Sequence, residues 1–426
     1  MKNCCTGEGN MSIWHIRGGT RLRGSVRVQG SKNAVLPVLA ASILTPCESE
    51  IINCPQLSDV DAAIEILRHL GCTAVLEGDT LRIDSRNLSG CTIPAELMHR
   101  MRSSVIFLGP LLGRCGEAHV SLPGGCELGD RPVDLHLMAL RTLGAEVEQQ
   151  GDEIVCRSGK LRGGEIAFSS PSVGATENAM IAACASEGDT VIYNAAREPE
   201  IVSLQDYLRN MGAIIMGAGT PVIRVRGFHG RSTAGFRVPP DRIVSATYLC
   251  CAAVTGGDVE VLGAEKRDME AVLRTLAAMG CRISSNASGI RLAADERLSS
   301  PGSVVTRPYP GFPTDASPML MAAAVAAEGC SVFIENIFSS RFAYAEELKK
   351  MGADIVLRGP LALVNGVERL HGAEAESTDL RGGAALITAA LAAEGESRIR
   401  DEGHVARGYD GLESALRTLG AELWTE

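Results

Sequence analysis

Residues 180–188 read MIAACASEG, a run of small apolar residues that closes on glycine. The pattern returns as LCCAAVTGG at 249–257, MAAAVAAEG at 321–329 and ITAALAAEG at 387–395, with an earlier copy, FLGPLLGRCG, at 107–116. Residues that alternate apolar and polar follow, as at 190–193 and 331–335. That is the period of a half-buried strand. With aromatics at only 4% and 47 glycines in 426 residues, the helices should pack closely and the turns should be tight.

A second signature keeps the same period. Leu or Met, then Gly, then Ala or Cys ends an amphipathic stretch at Gly71, Gly144, Gly212, Gly280, Gly352 and Gly420. The spacings are 73, 68, 68, 72 and 68 residues, too regular for chance. A glycine just past a helix adopts the left-handed conformation that closes it. Each unit is then about two helices and several short strands, and one unit cannot cover its own apolar faces. Six units predict a mixed α/β (α+β) protein of two domains, each with three repeats about a pseudo-threefold axis. The seam falls near residues 236–241. The first domain is expected at 32–240, and the second at 1–31 plus 241–426. The strand region 13–29 is expected to pair with the C-terminal half.

Composition narrows the function. The chain carries 41 basic and 51 acidic residues, a net charge of −10, which argues against a general polyanion binder. We expect no nucleic-acid partner. The longest apolar runs, such as 319–327, fall well short of the ~20 residues of a membrane span. Residues 1–11 contain no apolar signal core. A cytoplasmic protein without a membrane partner is the expectation. None of the 14 cysteines forms a CxxC pair and the eight histidines show no metal spacing, so no metal is expected. Most cysteines should be reduced core residues.

Polar residues recur at one phase of the repeat. Lys32, Arg102, Ser172, Arg242, Asp315 and Arg381 follow one another at 70, 70, 70, 73 and 66 residues, each just before or at the start of a small-residue helix. Ser172, Thr176, Asp315 and Ser317 could simply cap helices. Ser317 followed by Pro318 looks like a cap and first-turn pair. Capping does not account for Lys32, Arg102, Arg242 and Arg381, because cations oppose the positive end of a helix dipole. They make sense around an anion, and phosphate suits both helix N–H groups and guanidinium.

The stretch SLPGGCELGDRPVDLH at 121–136 reads as a glycine-rich loop. Cys126 sits at its tip, with Arg131 five residues on, a setting that lowers a thiol pKa. Cys115 ends a small-residue helix and reads as a packing residue. Asp315, in YPGFPTD, is placed by rigid prolines where a carboxylate can move a proton. No Walker A, GxGxxG or HExxH motif is present.

Taken in order, GSKNAVLP at 30–37, LPGGCELGDRPVDLH at 122–136, PSVGATEN at 171–178 and NAAREPEIV at 194–202 resemble the enolpyruvyl transferases. YPGFPTD at 309–315, ENIFSSRF at 335–342, TDLR at 378–381 and ARGY at 406–409 extend the resemblance to the C-terminal end. It implies two inside-out α/β barrel domains, each of three βαβαββ-type repeats, with the active site in the cleft between them. It also implies transfer of the enolpyruvyl group of phosphoenolpyruvate (PEP) to the 3'-hydroxyl of UDP-N-acetylglucosamine (UDP-GlcNAc), the first committed step of peptidoglycan synthesis. No cofactor is implied, the two small molecules are the partners, and a monomer or weak oligomer is expected.

The resemblance assigns roles residue by residue. Lys32 and Asn33 match the pair at PEP, and Arg131 and Arg407 match cations that bind it. Arg102 matches a sugar-nucleotide contact, and Arg131, Pro132, Val133, Asp134 and Leu135 match the stretch at the uridine. Ser172, Val173 and Gly174 belong to the nucleotide site, Ile337 and Phe338 to the sugar-nucleotide contact, and Arg381 to substrate binding. Asp315 matches the group near the 3'-hydroxyl and Asp379 a carboxylate in proton handling. Cys126 matches the loop thiol that forms a covalent adduct with PEP. The catalytic set so implied is Cys126, Asp315, Lys32, Arg407 and Asp379. Two positions depart from the pattern. Ser170 stands where some members carry lysine, and Val244 where many carry glutamate after DRI. Transfer to a different acceptor, or a non-catalytic UDP-GlcNAc-binding regulator, are the competing readings.

Overall fold

The computed structural model describes residues 11–122, 133–228 and 234–426, without the side chains of Arg102 and Ala234. Within those limits the chain forms two compact units, each with its own core. One runs from Gly30 to Pro239, and the other takes residues 11–29 and Pro240 to Glu426.

Six four-stranded sheets share one topology among the described residues: a parallel edge strand, then three strands paired antiparallel. In one copy, Glu165–Ala167 runs parallel to Asp189–Tyr193, which pairs with Val222–Arg226, which pairs with Ile214–Met216. Asp189–Tyr193 alternates exposed and buried residues, so one sheet face packs inward. Three sheets complete themselves with distant strands. Ala234–Arg237 supplies the parallel edge beside Glu48–Ile52. Arg23–Arg27 does the same beside Asp258–Leu262. Ser12–Arg17 lies between Glu396–Asp401 and Glu422–Thr425.

The small-residue stretches are the inner helices: Lys32–Ala41, Leu108–Cys115 and Val173–Cys184 in one unit, Arg242–Val254, Ser317–Ala324 and Leu380–Ala392 in the other. Nearly every residue of Leu380–Ala392 is buried, as befits a helix apolar on all sides. In its unit the three inner helices contact one another pairwise. Small side chains permit that approach. A Cβ at Gly109 would lie 2.4 Å from Asn178 Oδ1 and 2.7 Å from its carbonyl oxygen, so only glycine fits there.

The amphipathic outer helices bury one face each. In Pro199–Asn210 this face includes Ile201, Leu204, Tyr207 and Leu208, each leucine contributing about 1.5–3 kcal/mol. All six glycines predicted to end such helices have φ between +91° and +104°, a region closed to most residues with a Cβ. In the copy at 249–257 of the other signature, the left-handed residue is Gly256 (φ +64°), one before the expected Gly257.

Two local expectations change. Ser317 caps nothing: it is the first helical residue after Ala316, and its buried Oγ has no hydrogen-bond partner. Cys115 is exposed at the end of its helix rather than a core residue, although its thiol is partly covered. Of the described cysteines, Cys47, Cys54, Cys72, Cys156, Cys184, Cys250, Cys251 and Cys281 are free and buried.

Candidate active site

The periodic polar residues do stand at inner-helix starts. Lys32 and Arg242 are first residues, Arg381 is second in its helix and Ser172 is a cap, whereas Arg102 opens the short turn Arg102–Phe107 before its helix and Asp315 stands two residues before Ser317. Capping is done by their neighbours. Ser31 Oγ accepts from Ala34 N (3.3 Å), and Asp241 Oδ1 from Ile243 N (2.8 Å) and Val244 N (3.0 Å). Ser172 Oγ accepts from Ala175 N (3.4 Å), a long bond. Ser31 and Asp241 thus cap their helices while the cations Lys32 and Arg242 sit one step further in, whereas the helices that begin at Leu108 and Ser317 have no side-chain cap.

In the Gly30–Pro239 unit, Lys32 Nζ lies 2.6 Å from Asp59 Oδ2, with both side chains largely buried. Asn33 beside it is half-buried. Val133 precedes the Asp134–Thr142 helix, where Asp134 suits the positive end of the dipole. Asp134 is exposed, and Leu135 half-buried. The same helix carries His136, whose ring packs on Gly174. A Cβ at Gly174 would lie 3.1 Å from His136 Cε1. The 133–135 and 172–174 stretches are thereby brought together.

Asn178 holds this region. Its Oδ1 accepts from Gly109 N (2.6 Å), and its Nδ2 donates to Val105 O (3.1 Å) and to His136 Nδ1 (3.1 Å). His136 Nδ1 must therefore be an acceptor, so the network assigns the Nε2–H tautomer. Burial pushes the His136 pKa down to about 4, so the ring is neutral at pH 7. On the next face, Glu177 is buried and its pKa is well above the usual value, first through burial and then through Glu200 and Glu198.

In the other unit, two arginines and two aspartates alternate. Arg341, 1% exposed, pairs through Nη2 with Asp315 Oδ1. Its Nη1 lies 3.6 Å from Asp379 Oδ1, and its Nε donates to Thr314 Oγ1 (3.2 Å). Arg381 Nε lies 3.4 Å from Asp315 Oδ2. Asp379 also caps its helix, Oδ1 accepting from Arg381 N (3.0 Å) and Gly382 N (3.1 Å). Asp315 is the accessible member, its side chain 29% exposed against 6% or less for the other three.

Burial works against the Arg381 charge, but Tyr409, Asp315 and Asp241 outweigh it, so its pKa is raised and it stays a cation. Its guanidinium sits 5.3 Å from the Tyr409 ring centroid, and its buried Nη1 has no hydrogen-bond partner. Glu335 shapes the adjoining turn. Its Oε1 accepts from Ile337 N (2.8 Å) and Phe338 N (3.1 Å), and its Oε2 accepts from Thr314 Oγ1 (3.0 Å). That turn leaves Ile337 39% exposed, an apolar contact held out on a rigid loop. Phe338 is half-buried beneath Arg341. Arg407 stands half-buried on the single turn Val405–Arg407, which Asp401 pins by accepting from His404 N (3.1 Å) and Val405 N (3.2 Å).

Such a cluster presents one accessible carboxylate, oriented by two fixed guanidiniums, beside a spare cationic donor. That suits taking a proton from a hydroxyl next to an anionic substrate. Cys126, Arg131, Pro132 and the Arg102 side chain lie outside the described residues. Arg341, Glu335, Asp59 and Asn178 were not singled out from sequence, although Arg341 and Glu335 sit in the quoted ENIFSSRF and Asn178 in PSVGATEN.

Residues 16–416 match the family model of EPSP synthase (3-phosphoshikimate 1-carboxyvinyltransferase). The chain belongs to the EPSP synthase family. Among curated relatives, a UDP-N-acetylglucosamine 1-carboxyvinyltransferase 2 of Caldanaerobacter subterraneus is 45% identical over 413 residues, 97% of this chain and 99% of the relative. A UDP-N-acetylglucosamine 1-carboxyvinyltransferase of Zymomonas mobilis is 46% identical, covering 96% of this chain and 98% of its own. Of solved structures, the enolpyruvyl transferase NikO from Streptomyces tendae is similar with a TM-score of 0.89 at 25% identity, covering 97% and 99% of the two chains. EPSP synthase from Acinetobacter baumannii shares the fold at a TM-score of 0.74 and 20% identity, covering 98% and 100%. The two departures noted from sequence are placed as follows. Val244 is fully buried in the core of its unit, and Ser170 is exposed.

Proposed function

We propose that this chain transfers the enolpyruvyl group of PEP to the 3'-hydroxyl of UDP-GlcNAc and releases phosphate. The observation that carries the reading is near full-length identity of 42–47% to eight curated relatives that bear the carboxyvinyltransferase name. In the addition step, Asp315 accepts the hydroxyl proton and the sugar oxygen bonds to C2 of PEP. An acid, assigned to Cys126, protonates C3. In the elimination step a proton leaves C3, the C2–O bond to phosphate breaks and the enol ether forms. Atoms balance without a redox partner or cofactor.

Arg341 and Arg381 orient Asp315, and the buried positive charge of Arg381 favours an anion nearby. Lys32, Arg131 and Arg407 bind PEP, with Asn33 beside Lys32. Arg102, the stretch from Arg131 through Leu135, Ser172, Val173, Gly174, Ile337 and Phe338 bind the sugar nucleotide. Asp379 positions Arg341 and the helix carrying Arg381, and contributes to proton handling. No helix among the described residues is long and apolar enough to cross a membrane. We read the chain as a cytoplasmic enzyme of peptidoglycan synthesis, a monomer or weak oligomer, with no nucleic-acid partner.

The test is to mix purified protein with PEP and UDP-GlcNAc, following phosphate release and product mass. Phosphate with an enolpyruvyl adduct of UDP-GlcNAc supports the reading. Phosphate release only with another acceptor, or UDP-GlcNAc binding without turnover, overturns it.

A further inference from the structure

One group of side chains that this chemistry does not use combines three kinds of metal donor. Cys91 immediately precedes the strand Thr92–Ile93, which runs parallel to Glu117–Ser121 with Thr92 opposite His119. His119 N donates to Cys91 O (2.9 Å), which fixes the register. Glu117 and His119 are two apart on one strand and so share a face. The helix before that strand ends at Cys115, and Gly116 (φ +77°) turns the chain into it.

On that face Cys91 Sγ lies 3.3 Å from Glu117 Oε1, and His119 Nε2 lies 3.4 Å from Glu117 Oε2. The sulfur, imidazole nitrogen and carboxylate oxygen all fall within 4.8 Å of one another. Zinc binds thiolate at about 2.3 Å and imidazole or carboxylate at about 2.0–2.2 Å, which sets tetrahedral ligands about 3.3–3.7 Å apart. The Cys91–Glu117 and His119–Glu117 separations fall in that range through different carboxylate oxygens, Oε1 and Oε2, so a small turn of the Glu117 side chain brings one oxygen to both partners. Cys91 and His119 are half-buried and the Glu117 side chain is exposed, so one side remains open to solvent for a fourth, water ligand. A soft thiolate with an imidazole selects zinc over magnesium or calcium, which favour all-oxygen sites.

We propose that Cys91, Glu117 and His119 bind one zinc ion. On binding, the Cys91 thiol gives its proton to solvent and its sulfur bonds to the metal. Glu117 and His119 each donate a lone pair. The test uses the full chain after chelator treatment, titrated with cobalt(II) as a visible stand-in and then with zinc in competition with a chromophoric chelator. One equivalent with a thiolate-to-cobalt charge-transfer band is expected. Cys91→Ser should lose the band, and His119→Gln should weaken zinc binding at least about tenfold, since losing even a supporting group costs that much. His119 is partly exposed, so its variant should fold where Cys91→Ser fails. Cys330→Ser, an exposed thiol in the other unit, should change nothing. Failure of the wild type to bind cobalt, or equal zinc affinity in His119→Gln, overturns the proposal and leaves Cys91–Glu117–His119 as a hydrogen-bonded group.

Discussion

Lys32 Nζ and Asp59 Oδ2 stand 2.6 Å apart with side chains 11% and 3% exposed, the first residue of one helix against the first turn of the next. Removing one member of so buried a pair leaves the other charge poorly compensated. Asp59→Ala should destabilise its unit by about 3 kcal/mol, and the pair Lys32→Met with Asp59→Leu should recover much of that. Denaturant midpoints of the three proteins decide it. Equal midpoints for Asp59→Ala and wild type would remove the pair from the account of stability.

Asp315→Asn keeps the shape of the side chain but takes away the proton acceptor. Turnover should fall by roughly 10²–10⁴ in a protein that still folds but melts lower, because Arg341 and Arg381, both buried, lose one of their counter-charges. Arg341→Lys should lower kcat more than it raises KM, because an ammonium cannot bridge Asp315, Thr314 and Asp379 as the fork does. Near-normal kcat in a folded Asp315→Asn would reassign the base.

Acid should act through His136. Its folded pKa, about 4, lies below the ordinary 6.5. Between those values the unfolded chain binds a proton that the folded chain does not, so this contribution is complete above about pH 6.5 and falls as pH drops, levelling off below about 4. Protonation would turn Nδ1 from acceptor to donor against Asn178 Nδ2. Between pH 7 and 5 the loss should be about 2 kcal/mol, and His136→Gln should remove most of that slope. Urea titrations at the two pH values provide the comparison.

Cys126 and Cys115 should differ sharply toward an epoxide. The Cys115 thiol is pushed above its ordinary pKa, first by burial and then by Cys91, and so stays protonated at pH 7 despite its exposure. We expect the adduct to map to Cys126 by peptide mass analysis. Modification of Cys115 with Cys126 intact would reverse the assignment.

What sequence could reveal followed from covalent periodicity. Left-handed glycines cannot be replaced cheaply, so Gly71 through Gly420 mark the repeat along the chain. Charge at the helix starts was equally visible at Lys32, Asp315 and Arg381. Contacts made only by folding left no local signal. Asp59 becomes Lys32's partner 27 positions away, and Asn178 meets Gly109 across 69 residues. The Ser317–Pro318 pair misled because Ser317 falls one position past the cap, inside the helix, and its hydroxyl meets no free N–H there. Cys91 and Glu117 lie 26 residues apart and show no metal spacing; a parallel strand pair joins them.

The pairing of Ser12–Arg17 between Glu396–Asp401 and Glu422–Thr425 also sets a schedule for the ribosome. At about 5–20 residues per second, that strand waits roughly 20–80 s for its neighbours to be synthesised. Meanwhile all of Gly30 to Pro239 emerges and can fold on its own core. The unit that closes last therefore carries an unpaired strand throughout synthesis, and that strand is where a chaperone would be most needed.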